Sequence, residues 1–199
     1  HPALKAVSPQ APILDWFKGD DVHHNGAFML MDLYSFSTYM FKEHNNPIEE
    51  DHGLESPIGE NAYDWFLSMK TIPALTDALP AELPFWNEVL EHPDYDDYWK
   101  ERSLEQHLKD IKPAILVVGG AYDTDDCYGA LNTYKLIREN SPSTDLHFVY
   151  GPWSHGGWHE KDYGGLGQID SWGGLSEHFM ENIEFPFFSY YLEGKGKKP

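Results

Sequence analysis

The sequence predicts an α/β fold built on a parallel sheet, and three stretches of the chain support this prediction. Two apolar runs of strand length, residues 114–118 and 146–150, lack the period-two alternation of a half-exposed strand. They are therefore expected to be strands buried on both faces of a parallel sheet. Residues 126–139 between them carry apolar side chains at helical spacing and stop before Pro142. A strand, a crossover helix and a second strand form a unit whose two strands run in the same direction.

A shorter apolar run, residues 3–7, is expected to add a third strand, because Pro9 and Pro12 follow it and prevent a helix there. The length of 199 residues is enough for one domain, or for one domain with a large insertion. A hydrophobic content of 41%, which includes 15% aromatic residues, excludes a disordered chain.

The stretch from residue 27 to residue 109 has no strand pattern. It contains helix candidates separated by proline or glycine, namely residues 27–43, 61–69, 84–90 and 95–107. An all-helical insertion between two strands of an α/β sheet is expected to cover the site as a cap. We therefore predict that residues 1–15 and 110–199 belong to the sheet core and residues 16–109 to the cap. Aromatic side chains such as those of the first candidate more often pack in a core than line a substrate pocket.

Two further segments follow the second long strand. The stretch 156–174 is rich in glycine and tryptophan, lacks periodicity and is predicted to be a loop. A closing helix is predicted over residues 176–192, interrupted or restarted at Pro186, with Gly194 as its C-terminal stop.

The charge balance of the chain limits the partners that it can bind. The 14 lysines and arginines stand against 33 aspartates and glutamates, a formal net charge of -19. Such a chain repels phosphate backbones and anionic surfaces, so neither nucleic acid nor a membrane is an expected partner. Cationic ligands are favoured, although most of the carboxylates are expected to form a solvated surface. The single cysteine, Cys127, excludes an intrachain disulfide and a cysteine-rich metal site.

An acid and a histidine follow the two long strands. Asp123 comes after the first strand and His155 after the second. Parallel strands end at the same edge of a sheet, which is where open α/β sheets build their sites. An acid and then a histidine at successive strand ends is the order of the last two members of the Ser-Asp-His triad in α/β-hydrolases. The alternative is that Asp123 only caps the following helix and His155 is an ordinary loop residue.

Acidic residues cluster around this edge of the sheet. Asp123, Asp125 and Asp126 place three carboxylates within four residues, more than a helix N-terminus needs. Like charges disfavour each other's ionisation, so the cluster is expected to hold a cation. Asp20 and Asp21, at the end of the third strand, are expected to join it. We predict that the cation is the ammonium group of a small-molecule substrate.

A metal site is the weaker interpretation of these acids. The pairs 20–21 and 23–24 offer two carboxylates and two imidazoles. Adjacent residues rarely point at one ion, however, and the chain has no H-E-x-x-H motif. No metal or other cofactor is therefore expected, and His23 and His24 are expected to make hydrogen bonds behind the site. His159 is the alternative to His155 as the reactive histidine.

The nucleophile is missing from the expected triad. The chain has no G-x-S-x-G motif, the turn that presents the serine in α/β-hydrolases. Ser154 is poorly placed for activation by His155, because the side chains of adjacent residues diverge. Cys127 follows three aspartates, which disfavour its thiolate. The serine comes first in these hydrolases and the chain opens at His1 without a methionine, so we expect an internal piece of a longer protein with the serine upstream.

Six sets of motifs occur in order along the chain. They are His1-Pro2-Ala3-Leu4-Lys5-Ala6; Gly19-Asp20-Asp21 with His24 and Gly26-Ala27-Phe28; His92-Pro93-Asp94-Tyr95-Asp96-Asp97-Tyr98-Trp99; Gly119-Gly120-Ala121-Tyr122-Asp123; Gly151-Pro152-Trp153-Ser154-His155; and Pro186-Phe187-Phe188 with Tyr191-Leu192. Together they resemble the α-amino acid ester hydrolases and the glutaryl 7-aminocephalosporanic acid acylases. These belong to a wider group with cocaine esterase and the X-Pro dipeptidyl peptidases. The resemblance covers nearly the whole chain.

The resemblance implies an α/β-hydrolase with a helical cap, a C-terminal jelly roll and a Ser-Asp-His triad. By motif, Asp123 corresponds to the triad acid and His155 to the triad base. The acidic cluster that binds the substrate's α-ammonium in the ester hydrolases corresponds to Asp21, Asp125 and Asp126. The serine and the two tyrosines of the oxyanion hole are implied to lie upstream, and the jelly roll downstream. Asp125 stands where the family often has a longer glutamate.

We therefore expect a fragment of a serine hydrolase that cleaves ester or amide bonds of small acyl substrates, with α-amino acid esters or β-lactam side-chain amides favoured. An X-Pro dipeptidyl peptidase or a cocaine-esterase-like hydrolase is the alternative within the class. A non-catalytic module that holds cationic ligands in its acidic pocket is the alternative from another class. The sequence leaves open whether the protein is a homo-oligomer, and the resemblance leaves a periplasmic or secreted location open.

Overall fold

The computed structural model describes residues 1–40, 57–161, 165–166, 169–170 and 173–199. The strands are β1 (Ala6–Val7), β2 (His23–His24), β3 (Ala27–Phe28), β4 (Ala114–Gly120), β5 (Leu146–Gly151), β6 (Gly165–Leu166) and β7 (Ile169–Asp170). The α-helices are α1 (Leu30–Met40), α2 (Ala62–Met69), α3 (Ile72–Asp77), α4 (Pro84–Glu91), α5 (Asp97–Arg102), α6 (Cys127–Asn140), α7 (Leu175–Phe179) and α8 (Phe185–Glu193). Across these residues, no helix is long and apolar enough to span a membrane.

A parallel three-stranded sheet in the order β1-β4-β5 confirms the predicted α/β class. Strand β1 is shorter than predicted, but the chain continues alongside β4 and Gln10 makes a bridge to Val118. Every residue of β4 is buried, as its unbroken apolar run predicts. Strand β5 is only half-buried and its Tyr150 is exposed, so its prediction as a strand buried on both faces is wrong. Within the described residues β5 pairs on one side only, with β4.

The side chains of β4 alternate between two cores, one on each face of the sheet. Leu116 and Val118 pack in a cluster with Trp153, Phe179 and Phe187 from the C-terminal segment. On the opposite face, the other β4 side chains pack against the crossover helix α6, in a cluster made of Ile115, Val117, Ala130 and Ile137. This alternation is the period of a strand. The result is a sheet between two helical layers.

The helical stretch between β1 and β4 has a core of its own. The fully buried aromatic side chains of this core are Tyr34, Trp86 and Trp99. Three differences from the predicted elements occur here. Residues 27–28 belong to a short hairpin with β2 instead of a helix, the unpredicted helix α3 follows α2, and the candidate 95–107 splits at Ser103 into α5 and a 3₁₀ turn. Residues 41–43 of the first candidate lie outside the described residues. The division into core and cap domains stays a prediction.

The C-terminal segment differs from the prediction in two places. The predicted loop after His155 contains a 3₁₀ turn at Gly157–His159 and the two-residue hairpin strands β6 and β7. The closing helix consists of α7, a π turn at Met180–Glu184, and α8. Pro186 lies in the first turn of α8, directly after the π turn. Gly194 ends the helix at φ +68, as predicted.

Candidate active site

The loop after β4 holds the Asp123 carboxylate in one orientation. Oδ1 of Asp123 accepts the backbone N–H groups of Asp125 at 3.2 Å and of Asp126 at 3.1 Å. These bonds close a tight turn that lies just before helix α6. The residue is 4% exposed, and its second oxygen, Oδ2, points toward His155.

Glycine at the end of β4 lets the histidine loop approach closely. A Cβ atom on Gly120 would come within 2.2 Å of the Trp153 carbonyl oxygen. With no side chain there, the backbone N–H of Tyr122 donates to that oxygen at 3.0 Å. The N–H of Ala121 donates to the carbonyl of Gly151 at 2.8 Å. The two strand ends are therefore joined by backbone hydrogen bonds directly beneath Asp123 and His155.

Nδ1 of His155 lies 3.0 Å from Oδ2 of Asp123 and also 3.0 Å from Oδ2 of Asp126. The imidazole is 62% exposed although Nδ1 faces two buried carboxylates. The hydrogen bond to Asp123, and next the one to Asp126, raise the pKa of His155 to about 10. Burial alone would raise the pKa of Asp123, but the hydrogen bonds from His155 and the two backbone N–H groups outweigh it and hold that pKa below its usual value.

A cavity of 660 Å³ opens beside this pair. One part of its wall is acidic and is formed by Asp21, Asp32, Asp125 and Asp126 next to His155. The rest is mainly apolar, with Trp16, Leu33, Phe36 and Phe85. No lysine or arginine lines it within the part of the chain that the structure describes. The cavity is therefore suited to a small ligand that is apolar at one end and positively charged at the other.

The carboxyl groups of this wall disfavour each other's charge. Burial, and next the Asp126 carboxylate, raise the pKa of Asp21 to about 7. Burial, and next Asp32, raise the pKa of Asp125. Asp126 is 3% exposed, and its Oδ1 atom is buried with no hydrogen-bond partner in the part of the chain that the structure describes. A cation in the cavity would relieve the repulsion between these carboxylates.

Asp20 does not join the cluster, contrary to expectation. Its Oδ2 accepts the backbone N–H groups of Leu14 at 2.8 Å and Asp15 at 3.0 Å. Its Oδ1 accepts the N–H of Gly129 in helix α6 at 2.7 Å. The carboxylate therefore ties the segment after β1 to α6 and has a structural role.

The histidines of the β2 strand also differ from expectation. His23 is buried against the rings of Phe17, Phe28 and Trp99, and its Nδ1 has no hydrogen-bond partner. Burial lowers its pKa. His24 is exposed. Neither makes the expected hydrogen bonds behind the site, because the hairpin turns His23 into the helical core.

Other groups considered from sequence lie elsewhere or have other partners. His159, the alternative reactive histidine, contacts Oε2 of Glu184 at 3.0 Å. Asp123, Asp126 and His155 bring one ligand atom each within 4.8 Å of one another, close enough for a metal ion. We assign these atoms to hydrogen bonds because both distances to Nδ1 are of hydrogen-bond length.

Sequence reasoning missed Asp32 and the apolar wall. Asp32 lies in the first turn of α1, where an acidic residue is common for reasons of helix stability alone. Trp16 and Phe85 are far apart in the chain and resemble ordinary core residues. Only the packing of the helical segment against the sheet edge brings them together.

The chain is similar to several known proteins. The family model of the X-Pro dipeptidyl-peptidase (S15 family) matches residues 1–157. The cocaine esterase of Rhodococcus sp. (strain MB1 Bresler) is 25% identical over 158 residues, 76% of this chain and 27% of the esterase. An aminopeptidase from the marine sediment archaeon Thaumarchaeota archaeon has a TM-score of 0.85 at 31% identity, covering 100% of this chain and 32% of that one. An α-amino acid ester hydrolase has a TM-score of 0.84 at 28% identity, covering 99% and 32%.

These comparisons agree with the parallel sheet and its flanking helices. The chain spans 27% of the esterase and 32% of each solved structure, so it corresponds to about a third or less of these relatives.

Proposed function

Since the chain belongs to the X-Pro dipeptidyl-peptidase (S15) family and is of hydrolase type, we propose that it carries two members of a serine hydrolase triad. The substrates are esters or amides of small acyl groups with a free α-amino group. The hydrogen bond between Asp123 and His155, at the edge of an acid-lined cavity, is the observation that carries this proposal.

In this proposal, Nδ1–H of His155 donates to Asp123, so the lone pair lies on Nε2. Nε2 takes the proton from a serine hydroxyl as the serine attacks the substrate carbonyl. His155 then returns the proton to the leaving group, and water releases the acyl-enzyme by the same route. Asp123 keeps the imidazole in this tautomer and stabilises the imidazolium that forms. The serine belongs to the preceding part of the full-length protein.

The acidic wall supplies substrate specificity in this proposal. Asp21, Asp125 and Asp126 hold the α-ammonium and so orient the acyl carbonyl toward the serine. The apolar wall with Trp16 and Phe85 receives the acyl side chain. The raised pKa of Asp21, caused by burial and next by Asp126, supports the assignment, because a bound cation would stabilise the charged form of this carboxylate.

Kinetics of the full-length protein test the proposal. Asp123→Asn is expected to lower kcat by about four orders of magnitude and His155→Ala by about six, as in other triads. The exposed His24→Ala is the matched control and is expected to keep wild-type activity. A panel of amino acid esters, cephalosporin side-chain amides and Xaa-Pro anilides assigns the substrate class.

Two outcomes would contradict the proposal. Full activity of His155→Ala would remove the histidine from the chemistry. Binding of amino acids without turnover of any panel member would instead favour a non-catalytic module that holds cations in the acidic cavity.

A further inference from the structure

Two carboxylates compete for one N–H group in the site. Nδ1 of His155 is equally distant, at 3.0 Å, from Oδ2 of Asp123 and Oδ2 of Asp126. A neutral imidazole with its proton on Nδ1 has only that one hydrogen to donate. Asp123 has two further donors from the backbone, but the other oxygen of Asp126 is buried without a donor among the described residues. Asp126 is therefore the incompletely satisfied member of the pair.

This arrangement favours the charged imidazolium when the cavity holds no cation. Asp123 and Asp126 face His155 directly, and the other acids that line the cavity with it are Asp125 from the loop after β4, Asp21 from the segment before β2 and Asp32 from α1. Within the described residues, no lysine or arginine lines the cavity to offset them. From the loop of His155 itself, the nearby ring of Trp158 adds no charge. The raised pKa of the imidazole, about 10, agrees with this balance.

An imidazolium cannot act as the base of the reaction, because both of its nitrogens carry a proton. The serine hydroxyl then has no group on His155 to accept its proton. A cation that pairs with Asp126 would offset most of the negative charge by which this carboxylate stabilises the imidazolium. The imidazolium of His155 would then lose its Nε2 proton more readily and become the neutral base.

We propose that Asp126 is a positioning residue that couples substrate binding to the protonation of His155, so that a substrate ammonium bound against the Asp126 carboxylate converts His155 from imidazolium to the neutral base. The proposal rests on the proposed function. One positive charge enters the cavity as one proton leaves Nε2 for solvent, so the charge of the site is unchanged. The serine proton then moves to Nε2, the serine oxygen bonds to the acyl carbonyl carbon, and the proton passes to the leaving group.

Specificity for the amine should therefore appear in kcat as well as in KM. The test compares an amino acid ester, phenylglycine methyl ester, with its des-amino counterpart, phenylacetic acid methyl ester, on the full-length enzyme. The pH dependence of kcat reports the base in the enzyme–substrate complex. The α-amino group is protonated below about pH 7.7, so the two esters are compared below that pH, where kcat still rises with pH along the acid limb.

In the wild type, the acid limb of kcat is expected at least about one pH unit lower for the amino ester than for the des-amino ester, a tenfold difference in rate on the acid side. In Asp126→Asn the acid limbs for the two esters are expected to coincide, because the variant lacks the second carboxylate that stabilises the imidazolium of His155. Asp32→Asn is the matched control. It removes a charge from the same wall at a residue that the proposed function does not assign to the ammonium, and the separation of the limbs is expected to persist.

If the acid limbs of kcat for the two esters coincide in the wild type, the inference is wrong whatever the variants show. A separation that survives in Asp126→Asn does so as well, because the coupling would then not pass through that side chain. The proposed function fails in a different way. If the two esters have the same KM and the same kcat at every pH, the acidic wall does not recognise the amine at all.

Discussion

Two adjacent aspartates in this protein have opposite roles. Both oxygens of Asp20 accept backbone N–H groups, three in all, and the side chain ties two segments together. Asp21 has the left-handed φ of +49, which turns its carboxylate toward the cavity, where the indole N–H of Trp16 is its donor. The sequence placed both in one cluster, because nothing in a pair of neighbouring acids tells which of them faces backbone donors.

The pair predicts opposite effects on stability. Asp20→Asn replaces an acceptor by a donor against a buried N–H and is expected to lower the free energy of unfolding by roughly 1–3 kcal/mol. Asp21→Asn is expected to raise the unfolding midpoint at pH 8, because asparagine removes the repulsion, keeps an acceptor for Trp16 and tolerates a positive φ. Thermal unfolding of the full-length protein measures both.

The pH dependence checks the sign of the Asp21 effect. The pKa of Asp21 rises from 3.8 to about 7 on folding, so the folded state binds this proton more tightly than the unfolded state. The associated stability is fully present below pH 3.8 and is lost as the pH rises through about 7. The gain from Asp21→Asn should therefore be present at pH 8 and absent at pH 4. An equal gain at both values would refute the electrostatic explanation.

The strand-helix-strand unit is the element that brings the pair together, and it was predictable from the sequence. Buried parallel strands have unbroken apolar runs, and the crossover helix has helical spacing, so both signals are local. Helix α3 and the β2–β3 hairpin were not predicted, because each is short. Pro73 lies in the first turn of α3, where proline is tolerated, so it does not prevent this helix.

The close approach of the two strand ends gives a prediction for Gly120. Gly120→Ala places a Cβ within 2.2 Å of the Trp153 carbonyl, so the backbone must shift and carry His155 away from Asp123. We expect kcat to fall by at least about tenfold, since small displacements of a catalytic group are costly. Gly59→Ala is the control, because its Cβ would meet no atom of the described residues within 4 Å. Unchanged kcat in Gly120→Ala would show that the approach does not position His155.

The cavity is a property of the whole molecule, because its wall comes from segments far apart in the chain. Asp125, Asp126 and His155 follow the long strands, and the sequence placed them at one sheet edge. Asp32 and Phe85 come from helices whose packing no local pattern reveals. The net charge of -19 indicated a cationic ligand but not where it binds. The sequence therefore predicted the acidic residues that follow the strands better than the apolar residues that come from the helical segment.

The central claim is that His155, oriented by Asp123, activates a serine. Fluorophosphonates react with such a serine and leave a covalent adduct that mass spectrometry of the full-length protein can locate. We expect one labelled serine in the wild type and in His24→Ala, and labelling slowed by about a thousandfold or more in His155→Ala. Labelling of His155→Ala at the wild-type rate, or no labelled serine in the active wild-type enzyme, would contradict the account.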